Sequence, residues 1–306
     1  MNSASLHQAP ELAAYQQEPA QLPSGSFGKQ PYLRLGFERR GDRTALIDLA
    51  RKAPLIVQQA LYWDEELPDL PCVFIISNSG GIVQGDRIEM QFRVGRDGMA
   101  HVTTQSATKV HEMDANYASQ IHEIVVEDGA YLEYLPDPVI PHRGSRFITH
   151  TRLEVAPTAT LLYSEILMAG RKHYGAGELF EFDLYSATIQ AERPGGRELF
   201  TEKLIIEPRE RPVRQAGVMH NFDVFGNVVL LTPKEHADRI AAQVPAVIHP
   251  AEGWAAGVSR LPNDAGLIYK VLGVETAIVR AKVREFWGLV RPEITGAQIP
   301  AEFAWR

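Results

Sequence analysis

The feature that most constrains the fold is a pattern of apolar residues that recurs three times. Three sets share one internal spacing: Val94, Ala100 and Val102, then Val126, Leu132 and Tyr134, then Val155, Leu161 and Tyr163. Each set spans a tight turn, and the sets follow one another at intervals of 32 and 29 residues. Stacked strand–turn–strand units would bury one continuous face, as in a β-solenoid. A meander with regular turns produces the same spacing, so both arrangements stay open.

Alternating apolar and polar residues predict strands through most of the chain. Residues 88–94 and 147–155 alternate with period two, which is typical of half-buried strands. Turn-forming pairs such as Asp97-Gly98 and Asp128-Gly129 separate these runs. The sequence therefore predicts a mainly β, elongated and multi-stranded fold, for which a solenoid-like arrangement is one of the two open forms.

Two helices are predicted near the C-terminus. Thr232 offers a capping hydroxyl before Pro233 and a helix that ends at about Gln243. A second helix carries one apolar face and is expected to stop before Pro292; the face consists of Val279, Val283, Phe286 and Val290. Residues 1–30 lack a periodic apolar pattern, so we expect them to form a flexible tail. We expect residues 31–306 to form a single β-rich domain.

Composition excludes several classes of function. The chain has 31 basic and 38 acidic residues and a net charge of −7, which disfavours nucleic acid as a partner. Its longest apolar runs are about four residues, whereas a membrane-spanning helix needs about 20. The single cysteine, Cys72, forms neither an internal disulfide nor a thiolate zinc site. Residues 1–14 do not resemble a signal peptide, so we expect the protein in the cytoplasm.

The most conspicuous glycine-rich string is residues 80–86, Gly-Gly-Ile-Val-Gln-Gly-Asp. A phosphate-binding loop would open a helix, but this string leads into the predicted strand at 88–94. We therefore interpret it as a tight corner in which Asp86 accepts backbone hydrogen bonds. The alternative is a polar surface that the corner presents to a partner.

Histidines and carboxylates do not form a recognisable catalytic pattern. None of the ten histidines forms a pair at helical metal-site spacing, so oxygen ligands and transient contacts are favoured if metal is bound. Glu133, Asp137 and Glu165 lie near strand ends, yet no spacing selects a pair for glycoside hydrolysis. No Gly-x-Ser-x-Gly motif occurs. These absences favour a binding or scaffold protein over an enzyme.

A series of motifs from about Leu33 to the end resembles the urease accessory protein UreD family, called UreH in some species. In order the motifs are residues 53–58 (Ala-Pro-Leu-Ile-Val-Gln), 80–86, 103–110 (Thr-Thr-Gln-Ser-Ala-Thr-Lys-Val), 129–136 (Gly-Ala-Tyr-Leu-Glu-Tyr-Leu-Pro), 165–171 and 290–292 (Val-Arg-Pro). The resemblance implies an elongated β fold with two helices. It also implies a non-enzymatic scaffold that acts with UreF and the GTPase UreG on the urease apoprotein.

The resemblance further implies nickel insertion. Nickel would arrive through UreG and UreE and pass along a hydrophilic internal passage, with no tightly bound cofactor. Asp86 and Glu133 are the expected transient nickel ligands. The other residues that match family motifs are Gly80, Gly81, Gly85, Thr103, Thr104, Lys109, Pro136, Gly170 and Arg171.

The sequence departs from the family pattern in three places. His111-Glu112-Met113 replaces a common Tyr-Arg-Ser, Tyr134 replaces a tryptophan, and the link between Arg171 and Glu178 is longer. Two other functions stay open. One is maturation of a different metalloenzyme, and the other is a β-solenoid carbohydrate-active hydrolase that uses Glu133 or Asp137.

Overall fold

The computed structural model describes residues 6–16 and 30–301, and the fold is mainly β. The strands in chain order are β1 (Tyr32–Arg40), β2 (Arg43–Lys52), β3 (Leu55–Ile56), β4 (Cys72–Ser77), β5 (Arg87–Val94), β6 (Met99–Thr104), β7 (Thr108–Val110), β8 (Ala118–Val126), β9 (Tyr131–Tyr134), β10 (Val139–Pro141), β11 (Arg146–Val155), β12 (Thr160–Met168), β13 (Leu184–Arg193), β14 (Arg197–Ile206), β15 (Val224–Leu231), β16 (Val247–His249), β17 (Trp254–Arg260) and β18 (Gly266–Gly273). The helices are α1 (Lys234–Ala241) and α2 (Thr276–Thr295).

Two large sheets contain most of the strands. The first sheet has the order β14-β13-β11-β8-β5-β1-β2, and the second has β16-β17-β18-β15-β12-β9-β6-β4-β3. The repeat predicted from the sequence is confirmed by the parallel pairing of successive units. Val126 is opposite Val94 and Val155 in the first sheet, and Leu132 is opposite Ala100 and Leu161 in the second. The repeated residues thus stack in register, as in a solenoid.

Two short strands of the second sheet, β7 and β10, branch from β12 and close one corner of the stack. Val139 in β10 pairs with Thr108 in β7 and with Leu167 at the end of β12. Ile82 forms an isolated bridge to Val110. The glycine-rich string, Lys109 and the end of β12 are therefore brought together at this corner.

The apolar core has two main layers. One lies between the two sheets and contains the inward residues of β5, including Ile88 and Phe92. The other lies between the second sheet and the two helices. The predicted face of α2 is confirmed, because Val279, Val283 and Val290 are fully buried in this second layer.

Both helices exist, but their ends differ from the predictions. Helix α2 continues through Pro292 and ends at Thr295, followed by Gly296, whose N–H donates to the carbonyl of Pro292. Its last turn persists because Arg291 is fully buried and held by carboxylates of other elements. Thr232 does not cap α1: its hydroxyl lies 2.8 Å from that of Thr160, inside the sheet.

Residues 6–16 differ from the expected flexible tail. They include a short 3-10 helix (Pro10–Tyr15), and Leu6 and Leu12 are buried in a small cluster against the first sheet. His150 lies on the same face of β11 as Ile148 and is also buried. Residues 1–5 and 17–29 of the predicted tail lie outside the described residues. Over the described ranges, no helix has the length and apolarity needed to cross a membrane.

Candidate functional site

A cavity of about 170 Å³ lies between the two sheets and extends to the glycine-rich corner. Around this cavity, the inward positions of the stacked strands carry polar as well as apolar side chains. The polar side chains on its wall belong to Ser77, Ser79, Asp86, Thr104, Ser106, Thr108, Lys109, Gln120, His122, Asp137, Thr149 and Glu165, together with Tyr134, Tyr163 and Tyr185. Oxygen and nitrogen atoms thus line part of the cavity, and apolar side chains such as those of Ile88, Met90 and Phe147 line the larger part.

His122 lies at the centre of a hydrogen-bonded chain in this cavity. Its Nε2 lies 3.3 Å from the hydroxyl oxygen of Tyr134, and its Nδ1 lies 3.3 Å from Oγ1 of Thr151. Burial lowers the pKa of His122 to about 3, so the imidazole is neutral at physiological pH. A neutral ring adds no charge that would repel a cation.

Glu165 is the cavity carboxylate with the most perturbed protonation. Burial raises its pKa to about 7, although the hydroxyl of Tyr163 donates to Oε1 at 2.5 Å and favours the charged form. The same hydroxyl lies 3.2 Å from Oγ1 of Thr151, which links Glu165 to His122. A group with this pKa gains or loses a proton near neutral pH, and an incoming cation would favour the loss.

Asp86 combines a structural role with a place on the cavity wall. Its Oδ2 accepts the N–H of Val83 at 3.0 Å, as expected for a tight corner. Gly80 and Gly85 each have φ of +77°, in the left-handed region that favours glycine. The interpretation of residues 80–86 as a glycine-dependent corner is thereby confirmed, and the corner forms one end of the cavity.

Glu133 lies on the opposite face of the second sheet and does not reach the cavity. Its Oε1 accepts from the hydroxyl of Tyr131 and from Trp287 Nε1, both at 2.6 Å. Arg291 donates to both carboxylate oxygens at 2.8 Å, and His101 Nδ1 lies 2.7 Å from Oε2. Burial alone would raise the pKa of Glu133, but Arg291 and His101 hold it below its usual range.

These contacts leave Glu133 poorly suited to bind nickel or to donate a proton in glycoside hydrolysis. The carboxylate is fully buried, and both of its oxygens are occupied by donors. Asp86 and Glu133, which the sequence suggested as ligands of one passage, are thus not brought together. Of the two, only Asp86 lines the cavity.

Sequence reasoning overlooked the partners of Glu133. Arg291 also donates to Asp64 Oδ2, and Asp64 Oδ1 accepts two backbone N–H groups of its own loop. The signal that could have identified Arg291 is its position four residues after Trp287, on the apolar face of α2. A charged residue on a buried helix face requires buried counter-charges.

Three further motif residues are Thr103, Thr104 and Arg171. The two threonines form hydrogen bonds with backbone groups, and Arg171 forms an ion pair. The hydroxyl of Thr103 donates to the carbonyl of Leu135 at 2.7 Å, next to Pro136. Thr104 Oγ1 accepts the N–H of Asp137 at 2.8 Å. Arg171, after Gly170, pairs with Glu178 at 2.5 Å. The two threonine contacts join neighbouring turns of the solenoid, and the Arg171–Glu178 pair closes the loop that follows β12.

The described part of the chain contains no group of three or more histidine, cysteine, aspartate or glutamate side chains placed to hold a metal ion. Cys72 is fully buried, and burial raises its pKa to about 12, so it is a poor thiolate ligand. The polar residues of the cavity are therefore spread along its wall instead of being gathered in one cage.

Comparison with known proteins gives one consistent result. Residues 29–306 match the family model described as UreD urease accessory protein. A similar protein, urease accessory protein UreD 2 of Brucella suis biovar 1, is 58% identical over 300 residues, covering 98% of this chain and 99% of the relative. Urease accessory protein UreD of Yersinia pseudotuberculosis is 55% identical over 298 residues, covering 97% and 93%.

Proposed function

The chain belongs to the UreD family of urease accessory proteins, and from this premise we propose that it is a non-catalytic scaffold for nickel insertion into urease. It would act in the cytoplasm, in a complex with UreF and the GTPase UreG, on the urease apoprotein. The sequence contains no Gly-x-x-x-x-Gly-Lys-[Ser/Thr] motif, so GTP would be hydrolysed on UreG, with nickel supplied through UreG and UreE.

The observation that supports nickel transfer is the cavity inside the solenoid, whose wall carries three carboxyl groups, those of Asp86, Asp137 and Glu165. Carboxylate and hydroxyl oxygens are hard ligands and hold Ni²⁺ less tightly than a nitrogen and sulfur cage would. Asp86 and Asp137 lie at different places on the wall, and Glu165 adds a carboxylate that ionises near neutral pH. Dispersed ligands of this kind favour passage of an ion over its retention.

Glu165 would act through its proton. At neutral pH a fraction of the Glu165 carboxyls is protonated, and approach of a divalent cation lowers the pKa of the group. The released proton leaves a carboxylate whose Oε1 is still oriented by the hydroxyl of Tyr163. Departure of the ion would allow the proton to return, so the cavity would carry no permanent negative charge from this group.

The primary experiment is urease maturation with and without this chain. A urease operon with its UreF and UreG partners is expressed with added Ni²⁺, and the nickel content and activity of purified urease are measured. Nickel incorporation that depends on the chain supports the proposal. Equal maturation without it, when all partners are soluble, would contradict the proposal and favour a role with another metalloenzyme.

The cavity is tested by a matched pair of substitutions. Glu165→Gln removes the cavity carboxyl whose pKa is about 7, and Glu123→Gln makes the same change on the exposed outer face of the first sheet. We expect nickel incorporation to slow severalfold in the first variant and to stay unchanged in the second. The same rate in both variants would exclude Glu165 from the nickel route.

A further inference from the structure

Two histidines that none of the motifs includes lie side by side at the glycine-rich corner. Strands β7 and β10 pair in parallel with Val110 opposite Pro141, so the next residues, His111 and His142, are neighbours. Their ring centroids are 4.8 Å apart, and the rings meet at 79°. The solenoid register therefore brings together two imidazoles that are 31 positions apart in sequence.

The pair is next to the cavity. A methyl group added to Gly81 would lie 2.6 Å from Nε2 of His111, so this ring rests against the glycine backbone. Gly81 and Lys109, two residues before His111, both line the cavity. His142 is buried, whereas His111 is partly exposed. The pair therefore lies between the protein surface, where His111 is partly exposed, and the wall of the cavity at Gly81.

Both rings are chemically available to an ion. Within residues 6–16 and 30–301, no ring nitrogen of either histidine forms a hydrogen bond. Burial, followed by the charge of Arg171, lowers the pKa of His142 to about 4, so this ring is neutral and keeps a lone pair at physiological pH. Glu178, which is paired with Arg171 at 2.5 Å, opposes part of this charge effect, and Lys109 adds to it.

We propose that His111 and His142 form a two-imidazole site for a divalent transition-metal ion, where Ni²⁺ enters the cavity. The identity of the metal rests on the proposed function, whereas the site itself rests on the geometry. With a metal–nitrogen bond of about 2.1 Å, two imidazoles at 90–110° around one ion have centroids roughly 4.5–5.2 Å apart. The observed separation lies within this interval.

A site with two protein ligands is suited to capture and release. Imidazole prefers nickel, zinc and copper over magnesium or calcium, which gives the entrance a selectivity that the oxygen ligands of the cavity lack. Water would fill the remaining coordination positions, so the ion exchanges readily. His111 stands where the family resemblance leads us to expect tyrosine, so the site would be particular to chains that carry this histidine.

The test is titration of the full chain, in complex with its partners, with Ni²⁺ alone. His111→Phe keeps an aromatic ring against Gly81 and His142 but removes the nitrogen donors. His142→Phe tests the second ligand, and His173→Phe is the matched control, because the side chain of His173 is 79% exposed. Isothermal titration calorimetry gives affinity and stoichiometry, and electron paramagnetic resonance of bound Cu²⁺ reports nitrogen ligation.

We expect the His111→Phe complex to bind Ni²⁺ at this site at least tenfold more weakly and to lose the nitrogen signature, whereas His173→Phe matches the wild type. Unchanged binding in His111→Phe, or an equal loss in His173→Phe, would overturn the proposal. Urease maturation, measured separately, distinguishes failure of this metal site from failure of the proposed function. If maturation needs the chain but binding ignores His111, this site fails while the proposed function stands; the reverse result would leave only the site.

Discussion

Two Tyr-x-Glu segments on neighbouring strands of the second sheet have opposite electrostatics. In β9, Tyr131 donates to Glu133, and in β12, Tyr163 donates to Glu165. The parallel register pairs Tyr134 with Tyr163, so Glu133 projects towards α2 while Glu165 projects towards the cavity. The pKa of Glu133 is lowered, whereas that of Glu165 is raised to about 7.

The difference between the two glutamates lies in their counter-charges. Burial disfavours the ionised form of both carboxylates. On the helix side, Arg291 forms two hydrogen bonds to Glu133 and reverses that effect. On the cavity side, one hydroxyl contacts Glu165, and the Lys270 charge is shared with Glu202. The carboxylate on the helix side is therefore fully paired with buried donors, whereas, within the part of the chain that the structure describes, the carboxyl on the cavity side has no arginine or lysine in hydrogen-bond contact.

The largest expected effect comes from removing the counter-charge on the helix side. Arg291→Met keeps the length of the side chain but leaves Glu133 and Asp64 buried without their cation. We expect a loss of about 3–5 kcal/mol in the free energy of unfolding, as is typical when one partner of a buried pair is removed. Urea denaturation followed by circular dichroism measures this change.

A second readout of the same variant uses Cys72, which is fully buried beside this network. Maleimide labelling of native Cys72 should be negligible in the wild type and faster in Arg291→Met. Arg152→Met, at a pair whose arginine is 45% exposed, is the control and should change both readouts little. Similar unfolding free energies for the two variants would show that the helix-side network is not structural.

The next effect is the pH dependence that Glu165 contributes. Its pKa is about 7 in the folded state against an ordinary value of 4.5, so the folded state holds the proton more tightly. The stabilisation from this group is complete below about pH 4.5 and is lost as the pH rises through 7. Glu165→Gln lacks this loss, so its stability relative to wild type should increase between pH 5 and 8 by about 1–3 kcal/mol.

Denaturant unfolding at several pH values tests this prediction. Glu123→Gln, on the exposed face of the first sheet, is the control and should give a constant offset from wild type. An offset for Glu165→Gln that stays constant between pH 5 and 8 would mean that the cavity does not perturb the carboxyl. The contrast between the two faces would then be lost.

The fold was largely predictable because its signals are local or periodic. The three-fold spacing around Val94, Val126 and Val155 is a direct consequence of stacking in register, and the apolar face of α2 follows from helical geometry. The opposite roles of Glu133 and Glu165 were not predictable. Glu133 depends on Arg291, which is 158 positions away in sequence, and no local pattern encodes that contact.

The proximity of His111 and His142 was likewise not predictable from the sequence. His111 and His142 follow two short strands, β7 and β10, whose pairing depends on the register of the whole stack. Helical or hairpin spacing can be recognised from a single sequence, whereas the pairing of successive solenoid turns varies with the length of each turn. Candidate ligands that meet across turns therefore emerge only from the structure.

The smallest expected effect is a change in the pKa of Glu165 when one tyrosine hydroxyl is removed from either face of the second sheet. In Tyr163→Phe the hydrogen bond that favours the charged form of Glu165 is lost, so the pKa of Glu165 should rise above about 7. Tyr131→Phe removes the equivalent bond to Glu133 and should leave the pKa of Glu165 unchanged, because it acts on the opposite face. Carbon-13 NMR of the glutamate carboxyls, titrated from pH 5 to 9, measures both. A shift of the Glu165 midpoint in Tyr131→Phe as large as in Tyr163→Phe would mean that the two faces share one electrostatic environment. A shift confined to Tyr163→Phe would establish that the sheet separates a structural carboxylate from one that responds to its cavity.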